Sequence, residues 1–184
     1  MQGGIILATK GAVIPKLSEQ AAKTAPALND EQEFQLHAIT PLEKRTLDSV
    51  LNYQLTGNMQ NYVWEINNQI WPRIKPYKIK NGDRVEMVFT NDTDMAHPMH
   101  FHGHIFQVVK INGKAITNGP LRDTILVLPH TTKKIVFDAD NPGIWMTHCH
   151  VLYHMAAGMM TTTNYIDYPE PNYYQDLING KIKE

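Results

Sequence analysis

From about residue 31 onward the chain breaks into short runs of strand length separated by turn residues, and this spacing constrains the fold most. Runs at 47–55, 62–66, 85–89, 106–111, 125–128, 135–137, 144–150 and 161–166 carry β-branched, aromatic or alternating apolar residues. Between them stand Gly57-Asn58, Asn81-Gly82-Asp83, Asn112-Gly113, Pro129 and Asn141-Pro142-Gly143, each a turn signal. No run is long enough or periodic enough for a core helix. Short strands at such intervals predict an all-β sandwich or barrel with Greek-key connections.

The 184 residues suffice for one domain with an extended arm. The arm is expected at the front. MQGGIILATK is a short apolar, strand-like run without the basic region, longer apolar stretch and cleavage site of a secretory signal. Residues 11–30 are rich in Ala, Lys and Pro and read as a linker, with a short surface helix over 19–23 as the local alternative. From Pro169 the chain becomes a polar and aromatic tail with no chemical signal. With 17 Lys/Arg against 18 Asp/Glu, nothing suggests a nucleic-acid partner or a basic membrane arm. No apolar run is long enough to span a bilayer. The single cysteine excludes an internal disulfide framework.

Nine histidines are present, and eight of them fall between His97 and His154. Seven of them gather in His97-Pro98-Met99-His100-Phe101-His102-Gly103-His104 and in His148-Cys149-His150, which runs on through His154 to Gly158-Met159-Met160; His130 stands alone. Alternate side chains of a strand face opposite sides, so His148 and His150 point one way and Cys149 the other. On the Cys149 side, His154 follows after five residues and Met159 after five more. His97 is the natural further ligand, turned to that side by Pro98. Thiolate, two imidazoles and a weak thioether are the donor set of a blue-copper electron-transfer site. On the other face, His100, His102, His148 and His150 could converge on one metal ion or on part of a cluster.

Three other readings stay open on the residues alone. Some of these histidines could be ordinary core or surface groups. A zinc site accepts Cys and His but has little use for a thioether. A cupin-like site would need a glutamate that is missing at a suitable offset. Among weaker candidates, Asp94 could orient a ligand imidazole, and Arg122-Asp123-Thr124 is expected to be structural. Met95, Met99, Met146, Met155 and Met160 are core filler or auxiliary cuprous ligands. Trp145 is expected in the core.

The segments HPMHFHGHIF (97–106) and WMTHCHVLYHMAAGMM (145–160) resemble the two copper-binding signatures at the C-terminal end of multicopper oxidases, the laccase-like family. The Tyr-His-Met run and the closing Gly-Met-Met are most similar to bacterial copper-resistance oxidases. The resemblance covers roughly residues 45–168. It implies a cupredoxin-like Greek-key β-sandwich over 41–168, preceded at 1–40 by the end of another domain plus linker and followed by a tail at 169–184. It implies copper at His97, Cys149, His154 and Met159 (type 1), at His100 (type 2), and at His102, His148 and His150 (type 3). Cys149 with His148 and His150 would carry electrons from a small reductant, a phenol or cuprous ion, to a trinuclear site that reduces dioxygen to water. A periplasmic location is implied by resemblance alone.

Two departures qualify this. The family's trinuclear site uses eight histidines and this chain supplies four, so the remainder would come from other cupredoxin domains. By itself the chain is expected to behave as a type 1 copper electron-transfer or copper-binding module, with former domain interfaces open to homo-oligomerisation. Several bacterial relatives also carry an acidic residue immediately after the type 1 histidine, where Met155 stands here.

Overall fold

The computed structural model describes residues 7–14 and 23–181. Most of the strand expected in the first ten residues, and of the helix alternative over 19–23, therefore lies outside the described residues. The rest is a two-sheet sandwich. The first sheet holds β1 (Ser49–Asn58), β2 (Val63–Ile66), β4 (Arg84–Asn91), β6 (Phe106–Ile111), β7 (Lys114–Ala115) and β10 (Thr132–Asp138), in the order β2-β1-β4-β10-β6-β7. The short β8 (Leu121–Arg122) pairs with β6. The second sheet runs β3-β12-β11-β5-β9, built from β3 (Tyr77–Ile79), β5 (His97–Phe101), β9 (Thr124–Val127), β11 (Ile144–Cys149) and β12 (Met160–Tyr165). Its centre, β11 between β12 and β5, carries both histidine segments.

Strand alternation builds the core. Leu51, Tyr53 and Leu55 of β1, Val85, Met87 and Phe89 of β4, and Ile135 and Phe137 of β10 are buried from one sheet. Met99 and Phe101 of β5, Cys149 of β11 and Tyr165 of β12 are buried from the other. The sheets are also joined by a hydrogen bond, Tyr53 Oη to Thr163 Oγ1 at 3.0 Å. Burial raises the Tyr53 phenol far above its ordinary pKa, against the lowering effect of the Thr163 hydrogen bond, so it stays protonated.

Local differences from the sequence expectations have physical causes. Gly57-Asn58 is not the turn between β1 and β2 but the end of β1, and the reversal falls at 59–62. Gly57 pairs with Trp64 at φ +130°, and a Cβ there would lie 2.7 Å from the indole ring. The glycine is needed for close approach. The loop after Cys149 closes into a short helix, α1 (Leu152–Ala156). The tail forms α2 (Asn172–Ile178), which buries Leu177 and sets Tyr174 Oη against Thr162 and Asn164 of β12.

The described part of the arm has no regular structure, and from Asp30 onward it is fixed to the first sheet and the adjoining loops. Ala38 N donates to Asn118 O at 2.8 Å, Leu42 N donates to Gln107 Oε1 at 3.1 Å, and Arg122 meets Glu33 at 2.7 Å. Asp30 pairs with Lys133, whose side chain is only 1% exposed. A buried ammonium is tolerated because that carboxylate faces it. Arg84 grips Asp138 through two nitrogens, at 2.6 and 2.9 Å, and donates to Glu43 O.

Candidate metal centre

The arrangement follows from strand register. In β5, His97, Met99 and Phe101 are buried while Pro98 and His100 lie on the other face. Pro98 does not need to turn His97, because the strand is continuous and alternation alone separates His97 from His100. In the β5–β11 pairing Cys149 stands opposite Met99 and His148 opposite His100. Cys149 thus shares the inward face with His97, and His148 the outward face with His100.

On the inward side three donor atoms converge. Cys149 Sγ lies 3.6 Å from His97 Nδ1 and 3.9 Å from His154 Nδ1, and the two Nδ1 atoms are 3.1 Å apart. All three residues are buried. His154 is delivered by α1. Met159 is fully buried on the strand side of Gly158, its N–H bonded to His154 O and its carbonyl to Cys149 N. Gly158 stands at φ +119°, where a Cβ would sit 2.4 Å from Ile70 and 2.7 Å from Trp64 O.

Electrostatics prepare these groups for a cation. Burial, aided by the neighbouring His154, pushes His97 down to about 4, and burial also lowers His154. Both imidazoles are therefore neutral at pH 7, as metal ligation requires. Burial raises the Cys149 thiol to about 11, so a metal must displace its proton. His97 Nε2 is 2.8 Å from Thr93 Oγ1, which selects the tautomer presenting Nδ1 to the sulfur. Asp94, a weaker candidate for this role, is exposed and pairs with His130 at 2.9 Å instead.

On the outward side four imidazoles gather. Ring centroids are 4.7 Å apart for His100–His102, 4.9 Å for His100–His150, 5.0 Å for His102–His148 and 5.3 Å for His148–His150. The Nε2 atoms of His102 and His148 are 2.9 Å apart. His100 Nδ1 is tied to Asp123 O at 2.8 Å and to Thr124 Oγ1 at 3.1 Å, which leaves its Nε2 free. This gives the Arg122-Asp123-Thr124 stretch its structural part. Burial, then the mutual repulsion of their charged forms, lowers His102 and contributes to lowering His148. His104 takes no part. It is buried, stacked on Phe101 and bonded to Tyr165 Oη at 2.7 Å.

Among the other sequence candidates, Met99 is core, whereas Met95 and Met146 are partly exposed. Trp145 is half-buried against the core, and its ring covers Gly103, where a Cβ would lie 2.5 Å away. The sequence reading missed Trp64, whose ring stacks on His154 at 4.1 Å and meets His97 edge-on at 5.2 Å. It also missed Thr93. A threonine four residues before a ligand was a weaker cue than a carboxylate three residues before it.

This two-sheet sandwich, which brings Cys149, His97 and His154 together in its interior, has the cupredoxin fold. Residues 44–167 match the family model described as multicopper oxidase, and the chain belongs to that family. It is 43% identical over 112 residues to multicopper oxidase MmcO of Mycobacterium tuberculosis, covering 61% of this chain and 22% of that protein. It is 31% identical over 158 residues to copper resistance protein A of Escherichia coli, covering 79% of this chain and 26% of that one. Among solved structures, the blue copper oxidase of Nitrosomonas europaea superposes with a TM-score of 0.63 at 26% identity, over 70% of this chain and 48% of the other. The chain thus spans about a quarter of the length of these curated relatives.

Proposed function

We propose that residues 41–168 act as the C-terminal cupredoxin domain of a laccase-like multicopper oxidase in the periplasm, with 1–40 leading in from a preceding domain. In this reading His97, Cys149, His154 and Met159 hold a type 1 copper. His100 serves a type 2 copper, and His102, His148 and His150 serve a type 3 pair. The donor chemistry fits. Two neutral Nδ1 atoms and a thiol converge in a dry site, and the buried thioether stands in the same loop. Bound copper would supply one-electron chemistry, accepting electrons from a small reductant such as a phenol or cuprous ion and passing them to dioxygen.

The observation that carries the reading is the position of Cys149 within β11. Its sulfur faces the inward site, while His148 Nδ1 lies 3.1 Å from its carbonyl oxygen and the outward imidazoles flank it in sequence. One residue therefore links the two sites by covalent and hydrogen-bonded paths. The protein holds the inward imidazoles neutral, excludes water there, and fixes His100 through Asp123 and Thr124. The outward set has four imidazoles, so other cupredoxin domains would complete an oxygen-reducing centre. A second reading follows from the same observation: alone, the chain passes electrons at one copper without reducing dioxygen.

Copper loading tests both. The parent chain should develop an intense blue thiolate-to-copper band that Cys149→Ser abolishes, with no sustained dioxygen uptake on a phenol. A colourless, zinc-preferring site refutes the copper assignment, and dioxygen turnover by the chain alone refutes the need for further domains.

A further inference from the structure

The four inward ligand residues are sealed from water. His97, Cys149 and Met159 are fully buried and His154 is 2% exposed. The two imidazoles are all but shut off from solvent, so an outside donor has little direct access to a metal held there. What lies over the imidazoles is Trp64. Its indole stacks on His154 with 4.1 Å between ring centroids and 28° between planes. It also meets His97 edge-on at 5.2 Å. On its other side the Tyr62 ring stands at 6.4 Å and 86°, and Tyr62 is 40% exposed.

This placement is tightly held. Trp64 N donates to Ala157 O at 3.3 Å, tying β2 to the loop that carries His154 and Met159. Gly57 admits the ring from the neighbouring strand, and Gly158 admits the Trp64 carbonyl. The indole Nε1 is buried without a hydrogen-bond partner among the described residues. Native structures rarely leave such a donor unmatched, and ring position here outweighs its satisfaction. Trp64 also lines a cavity of about 170 Å³ between the β1–β2 reversal and the β4–β5 loop, together with Met59 and Thr93.

We propose that Trp64, with Tyr62 as its surface terminus, is the bridge by which electrons enter the inward site. This rests on the copper reading above. One electron leaves a one-electron reductant at the exposed Tyr62 ring, crosses the edge contact to Trp64 and the stacked indole–His154 pair to the ligand imidazoles, and converts a bound cupric ion to cuprous. Neither ring is itself oxidised. With no base at Nε1 the indole cannot shed its proton, which keeps its oxidation costly and leaves it a conduit. Trp64 is thus a coupling residue that acts through His154 and His97.

The test uses the full chain loaded with copper and mixed with hexaammineruthenium(II), following loss of the blue band in a stopped-flow instrument. Trp64→Leu should slow reduction about tenfold, and Trp64→Phe, which keeps a ring, should slow it less. Tyr62→Leu, on an exposed ring, should slow it about threefold, while Tyr153→Ala on exposed α1 leaves it unchanged. Band position and reduction potential should stay those of the parent, which a merely structural role would not predict. Apart from any reduction, cupric ion should quench the part of the emission lost in Trp64→Phe, and zinc should not. Rates within about twofold of the parent in Tyr62→Leu and in whichever Trp64 variant keeps the band overturn the proposal. A parent chain that never turns blue overturns the copper assignment and this inference together.

Discussion

The hydroxyl of Thr93 offers the sharpest check on how the inward site is held. Thr93→Val keeps the shape and removes Oγ1, which lies 2.8 Å from His97 Nε2 and 2.8 Å from Asn91 Oδ1. A hydroxyl has one donor and two acceptor lone pairs. With its proton on Asn91 Oδ1, it accepts from the imidazole N–H. His97 is fully buried, so deletion leaves that N–H without a partner, at about 1–3 kcal/mol of stability in the metal-free chain. The tautomer is also released: His97 Nδ1, 3.1 Å from His154 Nδ1, can then carry the proton it should leave off. Loss of such a supporting hydrogen bond lowers metal affinity roughly 10- to 100-fold. Chemical denaturation of the metal-free chain and a copper titration against a competing chelator read the two effects separately. Thr93→Ser should restore both. A Thr93→Val chain with copper affinity within about twofold of the parent would refute the tautomer argument.

Other outcomes follow from burial. His97 is held far below its ordinary 6.5, at about 4, by desolvation and then His154. A depressed folded pKa gives stability present in full above about 6.5 and lost as pH falls toward 4, about 3 kcal/mol for this group. Denaturant midpoints of the metal-free chain should therefore drop across that window, and His97→Gln should flatten its share. A pH-independent midpoint between 4 and 6.5 contradicts this. Asp30→Ala strands the Lys133 ammonium in the interior and should cost about 3–5 kcal/mol, with faster proteolysis of residues 23–46. A chain of unchanged stability would show that Lys133 finds another partner.

Both sites were largely legible because period-2 alternation is a strong rule. Once 144–150 reads as a strand, parity assigns His148 and His150 to one face and Cys149 to the other; β5 (His97–Phe101) was not among the strands expected, and His97 reaches the inward face by alternation, not by a turn at Pro98. Elements held by tertiary contacts were not legible. β3 has three residues, and α2 depends on Leu177 and Tyr174 finding β12. Gly57 read as a turn because glycine serves both tight turns and close approach, and only the position of Trp64 distinguishes them. Asp94 was singled out because a carboxylate is a common orienting group for a ligand imidazole, and Thr93 was not considered. Which of the two faces His97 depends on a loop whose course alternation does not set.

The pairing of β5 with β11 has a consequence for how the sites respond to losing metal. His97, His100, His148 and Cys149 stand on two hydrogen-bonded strands in the middle of a sheet, with His148 opposite His100 and Cys149 opposite Met99, while His102 and His150 follow directly on those strands. The donors are therefore gathered when the chain folds rather than when an ion arrives, and little ordering entropy remains to oppose uptake. A one-residue slip of β11 would turn Cys149 outward and His148 inward at once. Selectivity here is thus stored in backbone pairing. A metal-free chain should wait in a ligand-ready form, its thiol guarded by the same sandwich that keeps water from the copper.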